Sequence, residues 1–186
     1  PILNKQPIHI VWFKRDFRLV DNEALFHAHQ SGVPLLLICF FEPSVMDYTD
    51  SDVRHWRFVY ESIQDLNKKL APFNVRIYFF HDEVKTVFPK LIQEYDVKTV
   101  FSHQEIGNKV TYDRDVEMKA FFDSNDIAWK EFQLHGVIRK LKSRQNWDKR
   151  WEQVMRDAPK ITKESDLKTI ELKPDFYNQI KGADLS

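Results

Sequence analysis

The stretch HIVWFKRDFRLVDNEALFHAHQSGVPLLLICFF, residues 9–41, decides the fold. Its first five residues, His9 to Phe13, form a short apolar run of the length and composition of a β-strand, and a polar loop follows. Asp21 or Asn22 then stands where a helix cap belongs, and the segment to about Gln30 has helical character. Gly32 closes it with a residue suited to a left-handed cap. Leu35 to Phe41 is apolar without alternation, as expected of a strand buried on both faces in the middle of a parallel sheet. Strand, helix and buried strand make one βαβ unit.

The same alternation continues outward from this unit. Val53, Trp56, Tyr60, Ile63 and Leu70 recur at helical spacing from Ser51 onward, and Pro72 with Asn74 closes that helix. Val75 to Phe80 reads as a third strand. Val84, Val87, Phe88, Leu91, Ile92 and Tyr95 mark a helix that Pro89 should kink or restart. Val97 to Phe101 is a fourth strand, Asn108 to Ser124 a helix, and Ile127 to Phe132 a fifth strand. The expected fold is therefore α/β: a doubly wound, Rossmann-like, five-stranded parallel sheet of order 3-2-1-4-5 with helices on both faces. Residues 1–159 form this domain, with a further helix from about Asn146 to Met155. Residues 160–186, polar but carrying Leu167, Ile170, Leu172, Phe176 and Tyr177, read as a connector that is extended, poorly ordered or laid on another surface.

Composition limits the function. The 186 residues are 42% hydrophobic and 14% aromatic, enough for a substantial core. The longest apolar run, Pro34 to Phe41, is too short to cross a bilayer, and the start lacks a secretory core, so a soluble cytoplasmic protein without membrane contact is expected. Four glycines cannot build a glycine-rich phosphate loop, and neither such motif occurs. The one cysteine, Cys39, lies in an apolar run and reads as a buried small hydrophobe. The chain is neutral overall, yet Gln133 to Lys160 holds eight basic and three acidic residues. Arg139, Lys140, Lys142, Arg144, Lys149 and Arg150 form a solvated face or, with Trp147 and Trp151 beside them, a nucleic-acid contact.

In such a sheet ligands sit beyond the carboxyl ends of the strands where the winding reverses, here between strands one and four. Lys14 to Arg18 and Ser102 to Asn108 flank that point. Arg15, Asp16, Arg18 and Asp21 can form an ion-pair network that holds the first loop. His103 and Glu105 lack a third partner at fixed spacing, so neither a metal site nor a catalytic pair is predicted. A flat, polar-edged ligand needs an apolar wall and a few fixed donors and acceptors. The residues expected to supply them are Lys14, Phe40, Phe41, Glu42, Arg54, His103, Gln104 and Glu105, with Arg54 meeting an anionic tail.

The segment Val11 to Leu25, VWFKRDFRLVDNEAL, resembles the opening strand, loop and helix of the photolyase/cryptochrome family. The Ser102 to Asn108 loop, the Arg114-Asp115 pair and the stretch Gly136 to Trp151 extend the resemblance to about residues 8–155. It implies the amino-terminal antenna-binding domain of a deoxyribodipyrimidine photolyase. The FAD, the ultraviolet-damaged DNA and the chemistry would belong to a carboxy-terminal helical domain, so this chain alone would be inactive and residues 160–186 would be the connector. The resemblance leaves a folate, a deazaflavin, a flavin or no antenna chromophore at all as the alternatives, and one folate-binding branch has a carboxylate where this chain has Thr111. A cryptochrome blue-light receptor and a stand-alone nucleotide-binding module are the alternative readings.

Overall fold

A computed structural model describes residues 4–134 and 160–185, together with Lys149, Glu152, Gln153 and Arg156, all four helical. The rest of the expected helix from Asn146 to Met155, most of the basic run and the expected boundary at residue 159 lie outside the described residues. The strands are β1 (Pro7–Phe13), β2 (Leu35–Phe40), β3 (Ile77–Phe80), β4 (Asp96–His103) and β5 (Ala128–Phe132). They form one five-stranded sheet of order β3-β2-β1-β4-β5, and every pairing is parallel. The expected fold class and strand order are both observed.

Helices α1 (Glu23–Gln30) and α3 (Val53–Leu70) cover one face, where Ala24, Leu25, Val59, Ile63 and Leu66 meet Val11, Phe13, Leu37 and Phe41. Helices α4 (Val84–Glu94) and α5 (Lys109–Ser124) cover the other, where Val87, Phe88, Met118 and Phe122 meet Ile10, Trp12 and Ile38. The alternation of Ile10 and Trp12 against Val11 and Phe13 follows from the two-residue period of a strand. Asn22 is the cap that starts α1, its side chain accepting from the backbone N–H of Leu25 at 2.9 Å. Helix α4 runs unbroken through Pro89, against the expected restart. Val84, Val87, Phe88 and Leu91 are all fully buried, and that packing outweighs one lost backbone hydrogen bond.

Two features were not expected. Pro43 opens a short helix, α2 (Pro43–Met46), directly after β2, so the strand stops at Phe40 rather than Phe41. The tail is neither free nor merely extended. Residues 168–170 bond to Leu35, through Leu35 N–H to Lys168 O at 2.8 Å and Ile170 N–H to Leu35 O at 2.9 Å. Helix α6 (Pro174–Ile180) then buries Tyr177 and Ile180 against the α4/α5 face, and the Tyr177 hydroxyl donates to Phe79 O at 2.8 Å. Gly182, with φ of +80°, lies so close to His81 that a Cβ would stand 2.0 Å from the His81 carbonyl oxygen. The apolar residues that mark this segment in the sequence therefore complete the core of the domain itself. No helix among the described residues is long and apolar enough to cross a membrane.

Candidate functional site

Three chain crossings converge at the carboxyl end of the sheet. The loop after β1 brings Lys14 and Arg15, the turn after β2 brings Glu42, and the loop after β4 brings Glu105. One turn into α5, Arg114 and Asp115 point back at them. Asp115 occupies the buried stripe of α5 with Thr111, Met118 and Phe122, where an apolar side chain would be routine.

These groups form a connected ion network. Lys14 Nζ lies 3.0 Å from Asp115 Oδ1, and Arg15 Nε lies 3.1 Å from Glu105 Oε1. Arg114 bridges Glu42 and Glu105 and also reaches Asp115 at 3.1 Å. Below the cations lies an aromatic floor. Lys14 Nζ stands 4.3 Å from the Trp12 ring centre and 5.0 Å from that of Trp129, and Arg114 stands 5.1 Å above Trp12. Trp12 and Trp129 stack at 5.9 Å. Ring faces are attractive to cations, so the floor partly compensates for the lost hydration of both.

Burial sets the protonation of the network. Burial lowers the pKa of Lys14, with the Asp115 charge working against that shift. Glu105 stays below its ordinary value because, although burial raises it, Arg114 and Lys14 more than compensate. Glu42 goes the other way: burial dominates over its pairing with Arg114 and pushes it up to about 7. Glu42 Oε2 is buried and has no hydrogen-bond partner.

A cavity of about 360 Å³ opens above the network, between the end of the sheet and α3. Of the eight expected residues, Lys14, Phe40, Glu42 and Glu105 line it. The other four do not. Phe41 is instead fully buried, packed among Trp56, Tyr60 and Phe79. His103 turns to the first loop, its Nδ1 lying 2.6 Å from Asp16 Oδ2. Burial raises the Asp16 pKa, but the His103 bond and charge outweigh it and hold it low. Asn22 Nδ2 donates to the same carboxylate at 3.1 Å, so His103 and Asp16 stabilise the loop rather than face a ligand. Gln104 joins β5 through its backbone N–H to Phe132 O at 2.7 Å. Arg54 is exposed on the first turn of α3 and does not reach the cavity.

The expected network of Arg15, Asp16, Arg18 and Asp21 is redrawn as well. Arg15 pairs with Glu105, Asp16 with His103, and Asp21 Oδ1 accepts from the backbone N–H of Lys160 at 3.1 Å. Trp12, Arg114, Trp56, His55, Asp50 and Asp52 also line the cavity, and the sequence reading assigned none of them to it. Asp115, a carboxylate at an α5 position three or four residues from Met118 and Thr111 of the buried stripe, is the one signal in the sequence for the Arg114 beside it.

Residues 9–165 match the family model of DNA photolyase. Cryptochrome-2 of Gallus gallus is 33% identical over 86 residues, which cover 46% of this chain and 15% of that protein. The curated relatives matched are thus several times longer than the segment they share with this chain. A class III photolyase of Agrobacterium tumefaciens superposes with a TM-score of 0.70 at 19% identity, over 94% of this chain and 37% of its own. An archaeal photolyase of Sulfolobus tokodaii, whose structure holds two FAD molecules, superposes with a TM-score of 0.67 at 17% identity, over 95% of this chain and 42% of its own.

Proposed function

This chain belongs to the DNA photolyase family, and on that premise we propose that it is the antenna-chromophore domain of a light-driven DNA repair flavoprotein. The observation that carries the reading is the cavity at the switch point of the sheet. It combines apolar walls from Phe40, Val45, Trp56 and Val59 with fixed polar groups from Lys14, Arg114, Glu42 and Glu105. That composition suits one face of a flat heteroaromatic ring and its polar edge. A folate, deazaflavin or flavin held there supplies light absorption and passes the excitation on. Trp56 stacks on the ring, while the ion network keeps its polar groups fixed before the ligand arrives. In this reading FAD and ultraviolet-damaged DNA are bound by a helical domain joined through residues 160–186, and this chain alone has no repair activity.

A cryptochrome receptor is the second reading, and the identity to Cryptochrome-2 of Gallus gallus favours it. Titrating the purified chain with riboflavin, a deazaflavin and methenyltetrahydrofolate, with fluorescence as the readout, tests the antenna role. Saturable binding of one of them, weakened at least tenfold by Trp56→Ala, is expected. No binding of any of the three overturns the antenna role, and light-dependent loss of pyrimidine dimers catalysed by the chain alone overturns its inactivity.

A further inference from the structure

The charges around the cavity are not balanced from floor to rim. On the floor, Lys14, Arg15 and Arg114 are each engaged by Glu42, Glu105 or Asp115, so among the described residues no cation there is left over for a ligand. On the rim stand Asp50 and Asp52. Asp50 Oδ1 accepts from Asn108 Nδ2 at 3.3 Å, and Asp52 Oδ1 caps α3 by accepting from the backbone N–H of Arg54 at 2.8 Å. Both partners are uncharged groups. Neither Arg54 nor Arg57 lines the cavity, and His55 is the only other titratable side chain of the α3 wall that does. In the wall itself, Glu42 is 5% exposed and its Oε2 is an acceptor without a donor.

Resting on the antenna reading of this cavity, we propose that the site selects a heteroaromatic ligand with ring N–H donors and an uncharged, hydroxyl-bearing tail, and discriminates against a phosphorylated or carboxylated tail. The ring edge donates to Glu42, the ring face lies on the apolar wall, and the tail leaves past Asp50 and Asp52. Hydroxyl groups can donate to those carboxylates, whereas a phosphate is repelled by them and meets no unpaired cation on the floor. This reverses the expectation that Arg54 would receive an anionic tail.

Riboflavin and FMN differ only in the terminal phosphate and therefore read the discrimination directly. A phosphate dianion roughly 8 Å from two carboxylates in water is disfavoured about fourfold at 0.15 M salt and about fifteenfold at 0.01 M. Fluorescence titrations of the whole chain at pH 8 are expected to show riboflavin binding tighter than FMN. The ratio should widen at low salt and fall toward one in the Asp50→Asn/Asp52→Asn variant, in which asparagine still caps α3. Glu42→Gln should weaken riboflavin about tenfold. FMN binding as tightly as riboflavin, or a ratio insensitive to both salt and the double variant, overturns the selectivity while leaving the antenna reading intact. If neither flavin binds while a deazaflavin or folate does, the proposed edge recognition is overturned. If none of the three classes binds, the antenna reading itself fails.

Discussion

Replacing Glu42 by glutamine should make the protein more stable at pH 8 and leave it nearly unchanged near pH 5. Glu42 is 5% exposed, and burial pushes its carboxyl from 4.5 up to about 7. Arg114 opposes that rise, while Glu105 and Glu83 add to it. In the unfolded chain the group ionises near its ordinary value. Between the two pH values the folded chain therefore holds more protons than the unfolded one, and stability falls as the pH rises through that window. At about 1.4 kcal/mol per pH unit, the ionised form costs about 3 kcal/mol above pH 7. Glutamine has the shape of the protonated acid and keeps an oxygen for Arg114, so it escapes that cost. Urea unfolding followed by tryptophan fluorescence reads the difference. With a slope of about 2–3 kcal/mol per molar urea, the midpoint of the variant should lie roughly 1 M above wild type at pH 8. A variant less stable than wild type at pH 8, or one whose difference is the same at both pH values, refutes the reasoning. Confirmation would show a residue kept at a cost in stability, as binding residues often are.

Arg114→Ala strands Glu42, Glu105 and Asp115 without their shared cation, and should cost about 3–5 kcal/mol at pH 8 by urea unfolding, less at pH 5 where the carboxyls can take up protons. His9 is buried with Nδ1 unpartnered, and burial followed by the Lys130 charge lowers its pKa. The folded state thus binds fewer protons than the unfolded one as the pH falls through about 6.5, and His9→Leu should gain stability relative to wild type between pH 7.5 and 5.5. Gly182→Ala places a Cβ 2.0 Å from the His81 carbonyl oxygen at a φ of +80°, and should lower the thermal midpoint and expose the tail to proteolysis. An unchanged midpoint would show that the tail contact at His81 contributes nothing to the fold.

The resemblance carried by Val11 to Leu25 is shared with a family model matching residues 9–165. Its chemistry is local, since strand, loop and cap are adjacent in the chain and each leaves its own signature.

The sequence by itself determined the five parallel strands, their order and the end of the sheet at which a cavity forms. Those follow from short-range periodicity, from uninterrupted apolar strands and from the rule that parallel strands need crossovers. Four of the residues it singled out, Lys14, Phe40, Glu42 and Glu105, line that cavity, and they sit at strand ends or in the loops that leave them. Only the tertiary structure decided which charges meet. Glu42 and Arg114 are 72 residues apart, and Asp16 and His103 are 87 apart. Nothing local distinguishes a His103 that faces a ligand from one that holds a loop; the sheet register and the α5 crossover decide it by setting which side chains share a buried volume. Phe40 and Phe41 part company in the same way: Phe40 lines the cavity, while Phe41 is packed among Trp56, Tyr60 and Phe79. The tail was read as apolar but unplaced, and it became part of the domain because the α4/α5 face left room for Tyr177 and Ile180.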